Sequence, residues 1–165
     1  MENVNLQATA PISGVAYLRN GSPSTPGTDI LEFQRRQIEA RAAQDGVKLI
    51  RFYSDNPQRH FPRTGLAHLL ADVQMGNFSV VYVETLYRID RRLARVVRVV
   101  QQLCQVGVSL VTVRENFDLR SPETQGLFFA AVALNEQFSA LPSRKPTRQS
   151  ARAGSLPSKP EYSND

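Results

Sequence analysis

The stretch ISGVAYLRNGS, residues 12–22, decides the fold class. Its first seven residues are apolar or small, which predicts a short buried strand, and a polar loop begins directly after Leu18. That loop brings Arg19, a glycine and Ser22 to the end of the strand. An arginine and a hydroxyl in this position suit phosphate chemistry, so Ser22 is a candidate nucleophile as well as a candidate turn residue.

The rest of the chain continues as helices and strands in alternation. The predicted strands are 12–18, 47–53, 79–84 and 108–113. The predicted helices are 29–46, 63–74, a long apolar helix that follows TLYRIDRR (85–92) and runs through Val106, and 122–140. Asp29 and Ser121 are the predicted N-caps of the first and the last helix. The alternation predicts an α/β domain with a mainly parallel sheet of four strands, or slightly more, flanked by helices.

Composition divides the chain into three parts. We expect an N-terminal extension at 1–11, one domain at 12–140 and a tail at 141–165. The tail contains five basic and two acidic residues but almost no large apolar side chain, so we predict that it is disordered and basic. Pro142, at the start of the tail, is expected to end the last helix.

The sequence shows no targeting or membrane segment. The apolar stretches do not reach the roughly 18 residues that a membrane span requires, and the first residues lack the basic and apolar regions of a signal peptide. The single cysteine, Cys104, lies in an apolar helical run, where a buried and inert thiol is expected. We therefore expect a cytoplasmic protein that does not bind membranes.

Arginine dominates the positive charge. The formal net charge is +5, and residues 1–140 contain fourteen arginines but one lysine. The planar guanidinium suits phosphate recognition better than an ammonium group does. A genome rich in G and C would produce the same bias, so composition alone leaves the phosphate hypothesis open.

Several arginines follow predicted strands directly. In an open parallel sheet the ligand site lies at the carboxyl ends of the strands, where these arginines would meet. They are Arg19 after the first strand, Arg63 after the second, and Arg88 and Arg91 after the third. Arg91, Arg95 and Arg98 are also spaced to share one helix face. Two interpretations remain open, a phosphate site and an ordinary solvated face.

Other kinds of site are not indicated. The sequence has no Gly-rich nucleotide loop, no Cys/His spacing for a metal and no Ser/His/Asp set. Its two histidines, His60 and His68, are predicted in a loop and on a helix surface. We therefore expect neither a cofactor nor a metal.

Six blocks of the sequence, in order, resemble one protein family. They are YLRNGS (17–22), LEFQRRQIEA (31–40), FPRTGLAHLLADV (61–73), VVYVETLYRIDRR (80–92), GVSLVTVRENFD (107–118) and QGLFFAAVALNEQ (125–137). Together they resemble the catalytic domain of serine recombinases of the resolvase/invertase type, over about residues 12–139. The resemblance supports the α/β fold.

The resemblance implies site-specific DNA recombination without a metal or cofactor. In this family a serine attacks a DNA phosphodiester, forms a 5′-phosphoserine link, and the strands are exchanged within a tetramer. The residues that match the family's site are the catalytic arginines Arg19, Arg63, Arg88 and Arg91, together with Gln34 and Glu136. The implied partners are DNA and further copies of the chain in a homodimer or tetramer, or an intact recombinase.

The nucleophile is where the sequence departs from the family motif. The family serine stands two residues after the arginine, and this position is Gly21 here. Ser22 is the expected replacement if the loop contains a one-residue bulge, and Ser24 is a more distant choice. Tyr87 and Thr85 also stand where the family has an aspartate and a lysine.

The tail is a second departure. No helix-turn-helix pattern follows the last helix, so the basic tail is expected to add only salt-sensitive attraction to phosphates. Three hypotheses remain. The chain is a site-specific recombinase, active or impaired; a non-catalytic protein that binds DNA or an intact recombinase; or the product of a decayed, truncated gene.

Overall fold

The computed structural model describes residues 11–21, 27–56 and 63–140. The predicted extension at 1–11, the tail at 141–165, Ser22, Ser24 and His60 lie almost wholly outside these ranges, so the predictions made for them stay predictions. The strands are β1 (Ser13–Arg19), β2 (Lys48–Asp55), β3 (Val80–Val83) and β4 (Ser109–Thr112), and the helices are α1 (Gly27–Gln44), α2 (Thr64–Val73), α3 (Leu86–Ile89), α4 (Leu93–Gln105) and α5 (Pro122–Ala140).

The four strands form one parallel sheet in the order β2-β1-β3-β4. The predicted fold class is therefore confirmed. Because β1 and β3 are the central pair, the chain runs from β1 to one side of the sheet and from β3 to the other. All four carboxyl ends meet at one edge of the sheet.

Helices cover both faces of the sheet, as a parallel sheet with two apolar faces requires. On one face, Ile38 and Ala42 of α1 pack against Ala16 and Leu18 of β1. On the other face, α2, α4 and α5 pack against the alternate strand residues. The buried side chains of this second layer include Leu69, Val73, Val96, Val100, Leu103, Phe128 and Val132.

Of the two predicted helix N-caps, Ser121 is confirmed and Asp29 is wrong. Ser121 precedes α5, and its Oγ lies 3.5 Å from the Thr124 amide, as expected for an N-cap. Asp29, by contrast, lies inside the first turn of α1 and is not its N-cap. Its carboxylate there still suits the positive end of the helix dipole.

The long apolar helix predicted to run through Val106 begins at Leu93, and a separate short helix, α3, lies within the preceding TLYRIDRR segment. Asp90 separates α3 from α4 in an extended conformation, with φ −159° and ψ 157°. Its carboxylate accepts a hydrogen bond of 2.8 Å from the Arg92 amide, as in an Asx turn. Arg91 therefore lies between the helices, and it does not share a helix face with Arg95 and Arg98.

Cys104 is half-buried on α4 rather than fully buried. Burial raises the pKa of its thiol, which favours the unreactive protonated form. Within the described ranges, no helix is both long enough and apolar enough to cross a membrane.

Candidate functional site

A cavity lies where the strand order changes direction, between the ends of β1 and β3. Its volume is about 270 Å³, and it is lined by Arg19, Gly21, Tyr87, Arg88 and Arg91. The first two residues follow β1 and the other three follow β3. This crevice is the usual ligand site of an open parallel sheet. We call it the β1/β3 cavity.

Arg19 is fixed by the side chain of Gln34 on α1. The amide oxygen of Gln34 accepts a hydrogen bond from the Arg19 N–H at 2.9 Å, and its NH₂ group donates one to the Arg19 carbonyl at 2.9 Å. Gln34 is fully buried. Burial and the positive charge of Arg63 lower the pKa of the Arg19 guanidinium, although arginine still remains protonated at neutral pH.

Arg88 is oriented by Glu84, the residue that follows β3. Its Nε and Nη2 atoms each lie 2.7 Å from the same carboxylate oxygen of Glu84. Glu84 is 3% exposed, so this charge-assisted pair is shielded from water. Glu84 therefore holds one side of the Arg88 guanidinium and neutralises part of its charge.

Gly21 leaves room in the β1/β3 cavity at the position of the family nucleophile. Among the described residues, a Cβ atom built at Gly21 would meet only Nη1 of Arg88 within 4 Å, at the ordinary contact distance of 3.7 Å. The backbone of Gly21 does not have the positive φ that disfavours other residues. A serine would therefore fit at position 21 without displacing its neighbours.

Arg63 does not line the β1/β3 cavity. It lies half-buried before α2, where its Nη1 is 3.2 Å from a carboxylate oxygen of Asp90 and also donates to the Ile89 carbonyl. It lines a second cavity of about 350 Å³. The predicted set of four arginines is thus three arginines in one cavity and a fourth that is close enough to Arg19 to affect its pKa.

The N-terminus of α2 already has an anionic partner. The free amides at a helix N-terminus generally favour an anion such as phosphate. Here the two carboxylate oxygens of Asp55 accept hydrogen bonds from the amides of Gly65 and Leu66, at 2.8 and 3.0 Å. Asp55 also accepts a 2.8 Å hydrogen bond from the buried Tyr17 hydroxyl. It therefore fixes the start of α2, directly after Arg63.

The remaining predicted site residues lie elsewhere. Arg95 and Arg98 line the second cavity together with Arg63. Glu136 is exposed on α5 and lines neither cavity. Tyr87, which replaces the family aspartate, is 70% exposed at the rim of the β1/β3 cavity.

Sequence analysis missed three carboxylates that organise the arginines. Asp55 positions the segment of Arg63, Glu84 pairs with Arg88, and Asp90 pairs with Arg63. A signal was present, because Asp55 and Glu84 both fall at the carboxyl ends of strands and Asp90 lies among arginines in sequence. The predicted site contained basic residues at these strand ends but not the acidic residues beside them.

Comparisons with known proteins agree with this geometry. Residues 14–155 match the family model described as Resolvase, N terminal domain. No curated protein matched the chain in a sequence search.

Solved structures with the same fold include three recombinase domains. The N-terminal catalytic domain of TP901-1 integrase aligns with a TM-score of 0.67 at 18% identity, over 77% of this chain and 96% of that one. A resolvase family site-specific recombinase from Streptococcus pneumoniae aligns with a TM-score of 0.66 at 23% identity. The alignment covers 78% of this chain and 89% of that one. The C-terminal catalytic domain of ISC1926 TnpA, an IS607-like serine recombinase, aligns with a TM-score of 0.55 at 22% identity. The alignment covers 78% of this chain and 83% of that one.

These likenesses establish the fold, and the family model covers most of the sequence, including β1 to β4 and the β1/β3 cavity. The chain belongs to the resolvase family, whose N-terminal domain it carries.

Proposed function

We propose that this chain binds a DNA phosphodiester in the β1/β3 cavity and acts in DNA recombination by strand exchange. The observation that carries the proposal is the convergence of Arg19, Arg88 and Arg91, from two separate strand ends, on one cavity that also contains position 21. Nucleophilic attack on a phosphodiester increases the negative charge on the phosphoryl oxygens. Guanidinium groups held in place before the reaction stabilise that charge.

Ser22 is the proposed nucleophile because it follows Gly21, which lines the cavity. In the reaction its hydroxyl oxygen bonds to phosphorus and the P–O bond to the 3′ oxygen breaks. The serine proton leaves to solvent, and the departing oxygen takes up a proton to become a free 3′ hydroxyl. The product is a 5′-phosphoserine link, which the reverse attack by a 3′ hydroxyl reseals.

A second candidate function is favoured by Gly21 itself. The family position for the nucleophile has no side chain, although the space for one is present. On this alternative, the chain binds DNA or an intact recombinase without cleaving DNA. The arginines of the β1/β3 cavity would then contribute to binding affinity but not to catalysis.

Association with another copy, or with a related recombinase, is part of both candidates. Helix α5 exposes three large apolar side chains, Leu127 at 68%, Phe129 at 42% and Leu134 at 55%. Apolar residues exposed together on one helix are typical of a protein interaction surface. We propose that α5 contributes to a homodimer or tetramer.

A covalent trapping assay separates the two candidates. The parent chain, Ser22→Ala and Gly21→Ser are incubated with candidate recombination-site DNA that carries a nick opposite the cleavage position, and the adducts are separated by denaturing electrophoresis. A phosphoserine link is broken by alkali through elimination, which identifies it. An adduct in the parent that is lost in Ser22→Ala supports the recombinase.

Two other results of the trapping assay also distinguish the candidate functions. An inert parent together with a reactive Gly21→Ser variant supports the non-catalytic candidate on an intact scaffold. If no variant forms an adduct, and Arg88→Ala binds DNA as well as the parent, the cavity is not a phosphodiester site. The recombinase and the DNA-binding form of the second candidate are then both wrong.

A further inference from the structure

The second cavity is an unassigned basic pocket between α2 and α4. Its polar lining consists of Arg63, Asp90, Arg95, Arg98 and Gln102, so three guanidinium groups face one carboxylate. Apolar side chains form the rest of its wall. The pocket therefore has an excess of positive charge and a set of hydrogen-bond donors suited to an oxyanion.

Asp90 occupies the place of an anion within this pocket. One of its carboxylate oxygens lies 3.2 Å from Nη1 of Arg63 and 3.5 Å from Nη1 of Arg95. The other accepts the hydrogen bond from the Arg92 amide, which fixes the carboxylate in the junction between α3 and α4. The Asp90 side chain is 9% exposed, so its charge acts on the arginines with little screening by water.

Arg98 is the arginine of this pocket that Asp90 leaves uncompensated. Among the described residues, no carboxylate lies within the 4.0 Å ion-pair distance of its guanidinium, whereas Arg63 and Arg95 share the single charge of Asp90. Arg95 and Arg98 are both exposed, so the pocket is open to a large ligand such as a nucleic acid backbone.

The pocket is coupled to the β1/β3 cavity through the chain and through charge. Asp90 lies in the pocket and the next residue, Arg91, lines the β1/β3 cavity. Arg63, on the pocket side, lowers the pKa of Arg19 in the cavity. A polymer of phosphates such as DNA offers a phosphate to each of the two sites.

We propose that the pocket of Arg63, Arg95 and Arg98 is a second site for a DNA backbone phosphate, and that Asp90 weakens it as an internal competing anion. This inference rests on the proposed binding of DNA by this chain. Binding of a phosphate here requires Arg63 and Arg95 to exchange part of their contact with Asp90 for the DNA. Removing the charge of Asp90 should therefore strengthen DNA binding.

The test measures DNA affinity by fluorescence anisotropy with a fluorescein-labelled duplex oligonucleotide of mixed sequence, at several salt concentrations. The full chain is used, so that the basic tail contributes equally in every variant. We expect Arg98→Ala to weaken binding about three- to tenfold and to reduce the slope of log K against log salt by about one. Asp90→Asn keeps an oxygen that can accept from the Arg92 amide, and it should tighten binding by a similar factor.

Arg36→Ala is the matched control. Arg36 is a 74% exposed arginine on α1, which covers the opposite face of the sheet from α4. The inference is overturned if Arg98→Ala behaves like Arg36→Ala, or if Asp90→Asn binds no more tightly than the parent at an unchanged thermal unfolding midpoint. Arg19→Ala tests the proposed function separately. If Arg19→Ala leaves DNA affinity unchanged while Arg98→Ala weakens it, DNA binding at the β1/β3 cavity is refuted and the second site is supported.

Discussion

The side chain of Gln34 hydrogen-bonds both the N–H and the C=O of Arg19, each at 2.9 Å. A single amide side chain thus satisfies both backbone groups of the residue that ends β1. Since the direction of a side chain follows from its backbone, this contact fixes where the Arg19 guanidinium enters the β1/β3 cavity. Gln34 does not line the cavity, and its effect on binding passes through Arg19.

Replacing Gln34 by alanine should weaken both the fold and DNA binding. The change leaves two backbone groups of Arg19 without partners, which costs roughly 1–3 kcal/mol of unfolding free energy. DNA affinity should fall toward that of Arg19→Ala, as measured by anisotropy well below the unfolding temperature. Gln37→Ala, at an exposed position of the same helix, is the control and should change neither. Parent-like DNA binding by a folded Gln34→Ala chain would show that Gln34 has no positioning role.

Two glycine-to-alanine substitutions should have opposite effects on stability. A Cβ at Gly65 would lie 2.8 Å from the Ser54 carbonyl carbon and 3.1 Å from Oδ1 of Asp55, so Gly65→Ala should destabilise the protein by about 1–3 kcal/mol. A Cβ at Gly126, in α5, meets none of the described residues within 4 Å, and Gly126→Ala should stabilise the protein by about 0.5–1 kcal/mol. Urea unfolding measures both. Equal effects would mean that α2 does not approach β2 as described.

Acid should destabilise the fold partly through Asp118. The hydrogen bond from Arg120, aided by the charges of Arg120 and Arg41, holds the pKa of Asp118 below its ordinary value of 3.8. A carboxylate whose pKa is lowered by folding contributes stability that is complete above its unfolded pKa and is lost as the pH falls through its folded pKa.

The unfolding free energy of the parent should therefore fall as the pH drops below about 4, and the fall should be shallower in Asp118→Asn. Urea unfolding at a series of pH values gives the comparison. Asp90, whose pKa is also lowered, continues to contribute in both proteins. Parallel curves for the two proteins would contradict the role assigned to Asp118.

The fold followed from the sequence because its signals are local. Buried strands of apolar residues alternate with helices that end at glycines such as Gly46 and Gly107, whose φ values of 66° and 76° suit a helix end. The short helix α3 was not predicted, because four residues are too short a stretch to show helical periodicity. The extended backbone of Asp90 and of Arg92 separates α3 from α4.

The site was only partly predictable from the sequence. Strand ends placed Arg19, Arg88 and Arg91 together, because parallel strands bring their carboxyl ends to one edge. The same reasoning placed Arg63 with them. In the structure Arg63 instead pairs with the carboxylate of Asp90, which the strand-end argument did not include. Which carboxylate an arginine contacts depends on side-chain conformation and burial, and neither can be derived from the spacing of residues. The double contact of Gln34 with the Arg19 backbone is likewise a tertiary contact, which the sequence suggested only through family resemblance.

The central claim is that the β1/β3 cavity holds a DNA phosphate, and nuclear magnetic resonance of the isotope-labelled chain tests it most directly. During titration with a short duplex oligonucleotide, the account predicts the largest shifts at the Gly21 amide and at the Nε signals of Arg19, Arg88 and Arg91. In Arg88→Ala the shifts at Gly21, Arg19 and Arg91 should disappear together, while the signal of the exposed Arg36 on α1 should stay unchanged in both proteins. Shifts confined to the basic tail or to the exposed arginines of α1, with Gly21 unaffected at saturation, would contradict the account.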